Sequence, residues 1–146
     1  MKPLLYLFIL VSIPFRVLAQ EVANESSLAG AWELDLGLQI QALQKQGDNK
    51  FTAMPPPVQE MFLASLETRK YIFYPDGRFE AYWLLGGKSQ MLSGTWKMKN
   101  AALHLSHENG PDRVYKLSKT GEVIILVSKG NTGNVLQTLY LKREGL

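Results

Sequence analysis

The chain has 146 residues, 16 Lys and Arg against 13 Asp and Glu, and no cysteine. The missing cysteines exclude disulfides, a thiolate metal site and a cysteine nucleophile, so stability has to come from a hydrophobic core alone. Lys2 and Arg16 lie near the N-terminus, and without them 14 basic residues face 13 acidic ones, a near-balance that gives no ground for a nucleic-acid or anionic-membrane partner.

Lys2 supplies a short positive region, and Leu4 to Phe15 form an apolar run. Val17-Leu18-Ala19 then places short side chains at the −3 and −1 positions of a cut after Ala19, the order a signal peptidase reads. The run is too short to cross about 30 Å of hydrocarbon as a helix. Residues 1–19 are therefore expected to be a cleaved signal peptide, residues 20–27 a flexible leader and residues 28–146 a single domain. The expected product is exported, periplasmic or secreted, and soluble. No cysteine follows the cut to carry a lipid, and no later stretch is long and apolar enough to span a bilayer, so no stable membrane anchor is expected.

Leu28 to Leu36 reads as a first strand with Trp32 and Leu34 on one face. Residues 38–44 are rich in Gln, Ala and Leu, which favour helix, and Gly47-Asp48-Asn49 stops them. Pro57 suits a first helical position. Val58, Met61, Phe62, Ser65 and Leu66 then recur at the spacing of one helical face, ending near Glu67. From Arg69 the period changes to two. Strand-like segments 69–74, 78–85, 90–97, 103–107, 113–118, 122–128 and 134–143 are separated by turn residues such as Pro75-Asp76-Gly77, Gly86-Gly87-Lys88 and Asn109-Gly110-Pro111-Asp112.

Eight strands joined by tight turns predict an antiparallel meander. Such a meander resolves its edges best by closing, and eight strands enclose either packed side chains or one small ligand. The expected fold is mainly β, an eight-stranded antiparallel up-and-down barrel with one or two short helices between strands 1 and 2.

Leu28-Ala29-Gly30-Ala31-Trp32 and Leu92-Ser93-Gly94-Thr95-Trp96 share the frame Leu-x-Gly-x-Trp. Glycine within a strand marks a bend or a close backbone approach. Here each glycine lies on the same face as a large ring, which reads as a barrel corner with an indole plugging the closed end. Gly30-Ala31-Trp32 on the first strand resembles the Gly-x-Trp signature of lipocalins and the wider calycin group. Tyr71, Phe73, Asp76, Gly77 and Phe79, followed by Gly94-Thr95-Trp96, resemble the small lipocalin-like domains of exported bacterial proteins. The resemblance covers residues 28–143. It implies a late arginine stacked on the first indole, at Arg143 or with Lys142 as a weaker substitute. The helices between strands 1 and 2 are placed like the lid of fatty-acid-binding proteins. The Thr-Asp-Tyr motif of typical lipocalins is absent, so their transport function does not carry over with the fold.

Alternation places Phe79, Ala81, Trp83 and Leu85 on the inner face of the third strand. With Tyr71, Phe73, Tyr115 and Tyr140 on other strands, the interior is expected to be apolar with a few hydroxyls, the composition of a small-molecule pocket. The same rings could equally fill the barrel. His104 and His107 are three apart on a strand and should face opposite sides, so no metal site is expected. No serine elbow or paired carboxylates appear, and neither an enzyme nor a cofactor is expected. Two functions follow. One is binding of a small apolar or amphipathic ligand inside the barrel, lined by Phe79, Trp83, Tyr71, Phe73, Tyr115 and Tyr140. The other is a filled barrel serving as a structural or protein-interaction module through Tyr82, Leu84 and the 86–88 loop.

Overall fold

The computed structural model describes residues 25–45, 50–130 and 134–145. The expected signal peptide and the first part of the leader lie outside the described residues. A helical turn α1 (Glu25–Leu28) leads into β1 (Gly30–Leu34), then α2 (Leu36–Lys45) and α3 (Pro56–Glu67). Seven strands follow: β2 (Lys70–Phe73), β3 (Arg78–Leu85), β4 (Lys88–Lys99), β5 (Ala102–His107), β6 (Arg113–Thr120), β7 (Val123–Ser128) and β8 (Thr138–Arg143). Each strand pairs antiparallel with the next, and β8 returns to β1, so the sheet closes into an eight-stranded barrel. The expected fold class holds, helices included, and the architecture is consistent with a lipocalin-like fold.

Meander connectivity gives the barrel two unlike ends. At one end β1 begins, β8 finishes, and the tight β2–β3, β4–β5 and β6–β7 turns lie together. At the other, the mouth, lie α2, α3 and the β3–β4, β5–β6 and β7–β8 connections. Inward positions at the first end are large and buried: Trp32, Trp96, Leu103, Leu117, Ile124 and Leu141. Their rings and branched chains fill that end, which makes it the floor of the barrel.

The two Gly-x-Trp frames do related but different work there. The Trp32 indole Nε1 donates to the Leu28 carbonyl at 2.7 Å, tying α1 across the floor. Arg143 rather than Lys142 covers that ring, with its guanidinium carbon 4.1 Å from the ring centroid. Its Nη1 donates to Ala29 O at 2.8 Å and its Nη2 to Ser27 O at 3.0 Å. Gly30 has φ +130°, and a Cβ there would lie 2.1 Å from Arg143 Nη1. The space freed by Gly30 is thus taken by the arginine. Lys142 points the other way and pairs with Glu33 at 3.3 Å. In the second frame Trp96 Nε1 donates to Tyr74 O at 2.9 Å. Gly94 lets two strands approach: a Cβ there would lie 1.9 Å from the Ser106 carbonyl oxygen.

Trp32 and Arg143 bond to the Leu28 and Ser27 carbonyls of α1, at the end of the expected leader. Three expectations are corrected. The first strand is shorter than residues 28–36, since Leu36 already opens α2. The face of α3 is rotated from the expected stripe: Ser65 and Leu66 are buried, but Val58 and Met61 stay exposed. Gln59 turns inward instead, donating to Met54 O at 3.0 Å and pinning the preceding loop. The last strand begins at Thr138 rather than Asn134. Val135 and Leu136 leave the sheet and turn over the mouth, where they pack on the core.

Candidate ligand cavity

Above the filled floor the barrel is hollow. A cavity of about 240 Å³ occupies the mouth half. Its lower wall is apolar: Phe73, Phe79, Ala81, Leu105 and Leu126 come from four different strands. Phe73 and Phe79 stack at 5.6 Å between centroids, and Phe73 meets Trp96 edge-on at 5.8 Å, so the deepest aromatics are locked against the floor. Phe62 of α3 and Val135 and Leu136 of the β7–β8 connection close over the top.

Access is on the β4 side. β4 pairs with β5 only from Gly94 onward, whereas its first half pairs with β3 alone. The β3–β4 hairpin therefore overhangs the barrel and its inner face is uncovered. Leu92 lies opposite Ala81 and lines the cavity, yet is 37% exposed. The opening is framed by Leu92, His107 at the end of β5, and Arg113 at the start of β6.

The cavity brings together most of the residues expected from alternation. Tyr71, Phe73, Phe79, Trp83 and Tyr115 all line it. Tyr140 does not. Its neighbours Leu139 and Leu141 are the buried ones, and Leu139 takes the lining position. Residues 134–137, expected to open the last strand, could not fix its parity, because the strand starts four residues later, at Thr138. Leu85 shares the inner face of β3 but sits at the tip of the hairpin, past the cavity. His104 and His107 face opposite ways as expected: His107 lines the cavity and His104 a separate groove on the outer surface.

The polar lining was not anticipated. Arg69, just before β2, and Arg113, opening β6, both line the cavity. Each stands two residues before a lining tyrosine, Tyr71 or Tyr115, so a strand places arginine and tyrosine on one face. That Arg-x-Tyr spacing, read twice, was the available signal. The Arg69 guanidinium lies over the Trp83 ring, 4.5 Å from its centroid. Its Nε is buried and has no hydrogen-bond partner. Arg113 Nη2 approaches Asn134 Oδ1 at 3.5 Å. Burial pushes the Tyr71 hydroxyl above the usual tyrosine value, opposed by the adjacent Arg69 and, more weakly, by Arg113. His107 Nδ1 donates to the Pro111 carbonyl at 3.0 Å, leaving Nε2 as the second ring nitrogen. Burial lowers the His107 pKa below its ordinary 6.5, partly offset by the bond to Pro111. The ring stands edge-on to Phe79 at 5.7 Å. Gly94 lies between these two residues in the ladder, and its missing side chain lets them meet.

Among the described residues no cluster of three or more His, Asp and Glu could hold a metal ion. None of their helices is long and apolar enough to cross a membrane. No protein-family model matches the chain, and no match was found among curated proteins.

Proposed function

We propose that the chain is an exported lipocalin-like protein that binds a small, compact amphipathic molecule in the mouth half of its barrel. The observation that carries this reading is the cavity: about 240 Å³, apolar at depth, polar at the rim and reaching the surface beside Leu92. Ligand sites share that pattern of an apolar pocket with a few convergent polar groups. The volume lies under the roughly 300 Å³ at which pockets for drug-sized ligands begin. It exceeds the roughly 150 Å³ that accepts benzene. A single ring or a short alkyl chain is the size of occupant that fits. The signal-like residues 1–19 support export, and the Gly-x-Trp corner with Arg143 over Trp32 supports the lipocalin-like assignment.

Trp83 is the built-in reporter, because it lines the cavity and the other two indoles sit in the floor. The protein recovered from the exported fraction should begin at Gln20, and titration with 1-octanol should shift its tryptophan emission saturably. The shift should be lost in Trp83→Phe. An unprocessed N-terminus would overturn the export reading. No saturable change with octanol, together with no binding heat, would overturn the cavity reading and leave the barrel a scaffold. On that second reading the outer face of the overhanging hairpin is the contact surface, since Leu84 and Met91 are exposed there.

A further inference from the structure

We infer that the first half of β4 is an interface with a second copy of this chain: two such edges pair antiparallel about a two-fold axis at Gln90, joining the barrels through one continuous sheet. The inference goes beyond the cavity reading and does not depend on what the cavity holds.

The first ground is an open strand edge. Among the described residues, the side of β4 away from β3 gains a partner strand only at Gly94, opposite His107. Trp96 N donates to Gly77 O, toward β3, and Ser93 O accepts from Glu108 N on the other side. Antiparallel strands turn the N–H and C=O of successive residues to alternate sides, and the register from Lys88 to Thr95 runs without a bulge. Gln90 and Leu92 therefore bond toward β3, whereas the N–H and C=O of Ser89 and Met91 point to the open side. Such an edge is a template for another strand unless proline, a bulge or charge blunts it. Residues 89–92, Ser-Gln-Met-Leu, carry none of these.

The second ground is the length of the edge, which fixes the register. Gly86 and Gly87, at φ 56° and 77°, turn the chain at one end, and Glu108 holds the place beside Ser93 at the other. Residues 88–92 stay open between them, with Gln90 at their centre. A two-fold axis there sets Ser89 of each copy against Met91 of the other. Each such pair exchanges two backbone hydrogen bonds, and the pair repeats across the axis as an isologous contact requires. Gln90 faces its own copy at the close, non-hydrogen-bonded position, where one side-chain amide can donate to the other. Moving the axis to Met91 would drive Ser89 of the second copy onto Glu108.

The third ground is self-complementarity. In this register Lys88 of the second copy falls opposite Leu92, next in line to Glu108, and symmetry repeats the contact. Lys88 and Glu108 are both exposed, so opposite charges meet at both ends of the shared edge. On the outer face Met91, 59% exposed, comes diagonally across the axis from its own copy, within reach of a long side chain. An edge complementary to itself selects a second copy over an unrelated extended peptide.

Sedimentation equilibrium of the purified protein tests this. The mass should rise from one chain toward two as the concentration approaches about 1 mM, where contacts of micromolar to millimolar strength are populated. Amide exchange at Ser89 and Met91 should slow with that rise, while Gln90 and Leu92, bonded inside the hairpin, should not change. Met91→Pro removes one edge N–H and spares the bonds to β3, and should leave a single chain at every concentration. Lys88→Glu and Glu108→Lys should each weaken association about tenfold, and the double variant should regain it. Unchanged circular dichroism shows that each variant is folded. Octanol titration is scored separately, so failure of the cavity reading leaves this inference standing. A single-chain mass at the highest concentration would overturn it. So would a dimer whose Ser89 and Met91 amides exchange at the single-chain rate, or one that Met91→Pro leaves intact. A double charge variant no tighter than either single one would overturn the register.

Discussion

The side-chain amide of Gln39 serves as a strand for Tyr140. The Tyr140 backbone N–H donates to Gln39 Oε1 at 3.2 Å, and Gln39 Nε2 donates to the Thr138 carbonyl at 2.8 Å. β1 ends at Leu34, opposite Leu141, so the first residues of β8 have no β1 strand beside them and pair only with β7. Asp35 N reaches Tyr140 O at 2.8 Å, and from there the buried amide of Gln39, on α2, continues the ladder. One residue thus closes the seam of the barrel and docks the helix that roofs it. Replacing Gln39 by Leu leaves a buried N–H and a buried carbonyl unpaired, and is expected to cost about 2–4 kcal/mol. Gln41→Ala, on the exposed side of the same helix, should stay within about 0.5 kcal/mol. Urea unfolding followed by circular dichroism distinguishes them. Equal effects would show that the amide does not hold the seam.

That seam also marks where sequence reading stopped. The change of period from 3.6 to 2 at Arg69 and the regular turns were enough to give eight strands and their order, because neighbouring strands in a meander need only short-range signals. Trp32, Phe79 and Trp83 were legible as inward because alternation runs unbroken around them. Tyr140 was misplaced because parity counted from Asn134 has no meaning once Val135 and Leu136 leave the sheet. Gln39 was invisible, since its partners are about a hundred residues away in sequence. Arg69 and Arg113 were readable by parity but passed over, because arginine at a strand end is most often a solvated terminus. Whether the barrel was hollow could not be read at all: the cavity depends on side-chain volumes summed across the sheet, and pattern carries no volume.

Arg143 supports Trp32 in three ways at once: stacking on the ring and bonding two carbonyls of the segment before β1. Lysine keeps the charge but has neither the plane nor the fork. Arg143→Lys is expected to lose about 1.5–3 kcal/mol of stability, the scale of charge-assisted hydrogen bonds plus a cation–π contact. It should also expose the 27–29 segment to faster amide exchange. Exchange at Ala29 and Gly30 unchanged from the parent protein would refute the assigned role.

Gly94 has no room for even a methyl group, since its Cβ would meet the carbonyl oxygen and carbon of Ser106 at 1.9 and 2.9 Å. Both are backbone atoms, so β4 and β5 would have to separate. Gly94→Ala should therefore destabilise by about 2–3 kcal/mol, the range of an overpacked site. Thermal unfolding would show this directly. A melting temperature within a degree or so of the parent would mean that the strands part at little cost.

The β4–β5 turn places both Asn100 and Ala101 at positive φ, 51° and 58°. Those are the two left-handed positions of a type I′ hairpin, where Asn-Gly is the favoured pair. Ala101 carries a steric cost of about 1–2 kcal/mol there. Glycine removes that cost but adds unfolded-state entropy, about 0.4–1 kcal/mol. Ala101→Gly is therefore expected to stabilise by about 0.5–1 kcal/mol. Denaturant unfolding with an unchanged slope and a higher midpoint would bear this out, and a lower midpoint would reject it.

On the outer face of β3, Glu80 accepts from two phenols: Tyr82 Oη at 2.5 Å and Tyr74 Oη at 2.8 Å. These bonds hold the Glu80 carboxyl below the usual carboxylate value. The same bond pushes Tyr82 up to about 12, with smaller contributions from burial and the Glu80 charge, and raises Tyr74 as well. The signs oppose across the pH scale. The lowered Glu80 contributes stability above its unfolded value near 4.5, lost as pH falls through the folded value. The raised Tyr82 contributes fully below pH 10, and its contribution is lost as pH rises from 10 toward 12. Tyrosinate absorbance in an alkaline titration should therefore lag between pH 10 and 12. Glu80→Gln removes the anion both phenols serve, and should move that absorbance back toward pH 10, the ordinary tyrosine value. Tyr82→Phe should delete the latest-titrating part of the curve. An alkaline titration identical in the parent and Glu80→Gln proteins would show that the carboxylate does not hold these phenols.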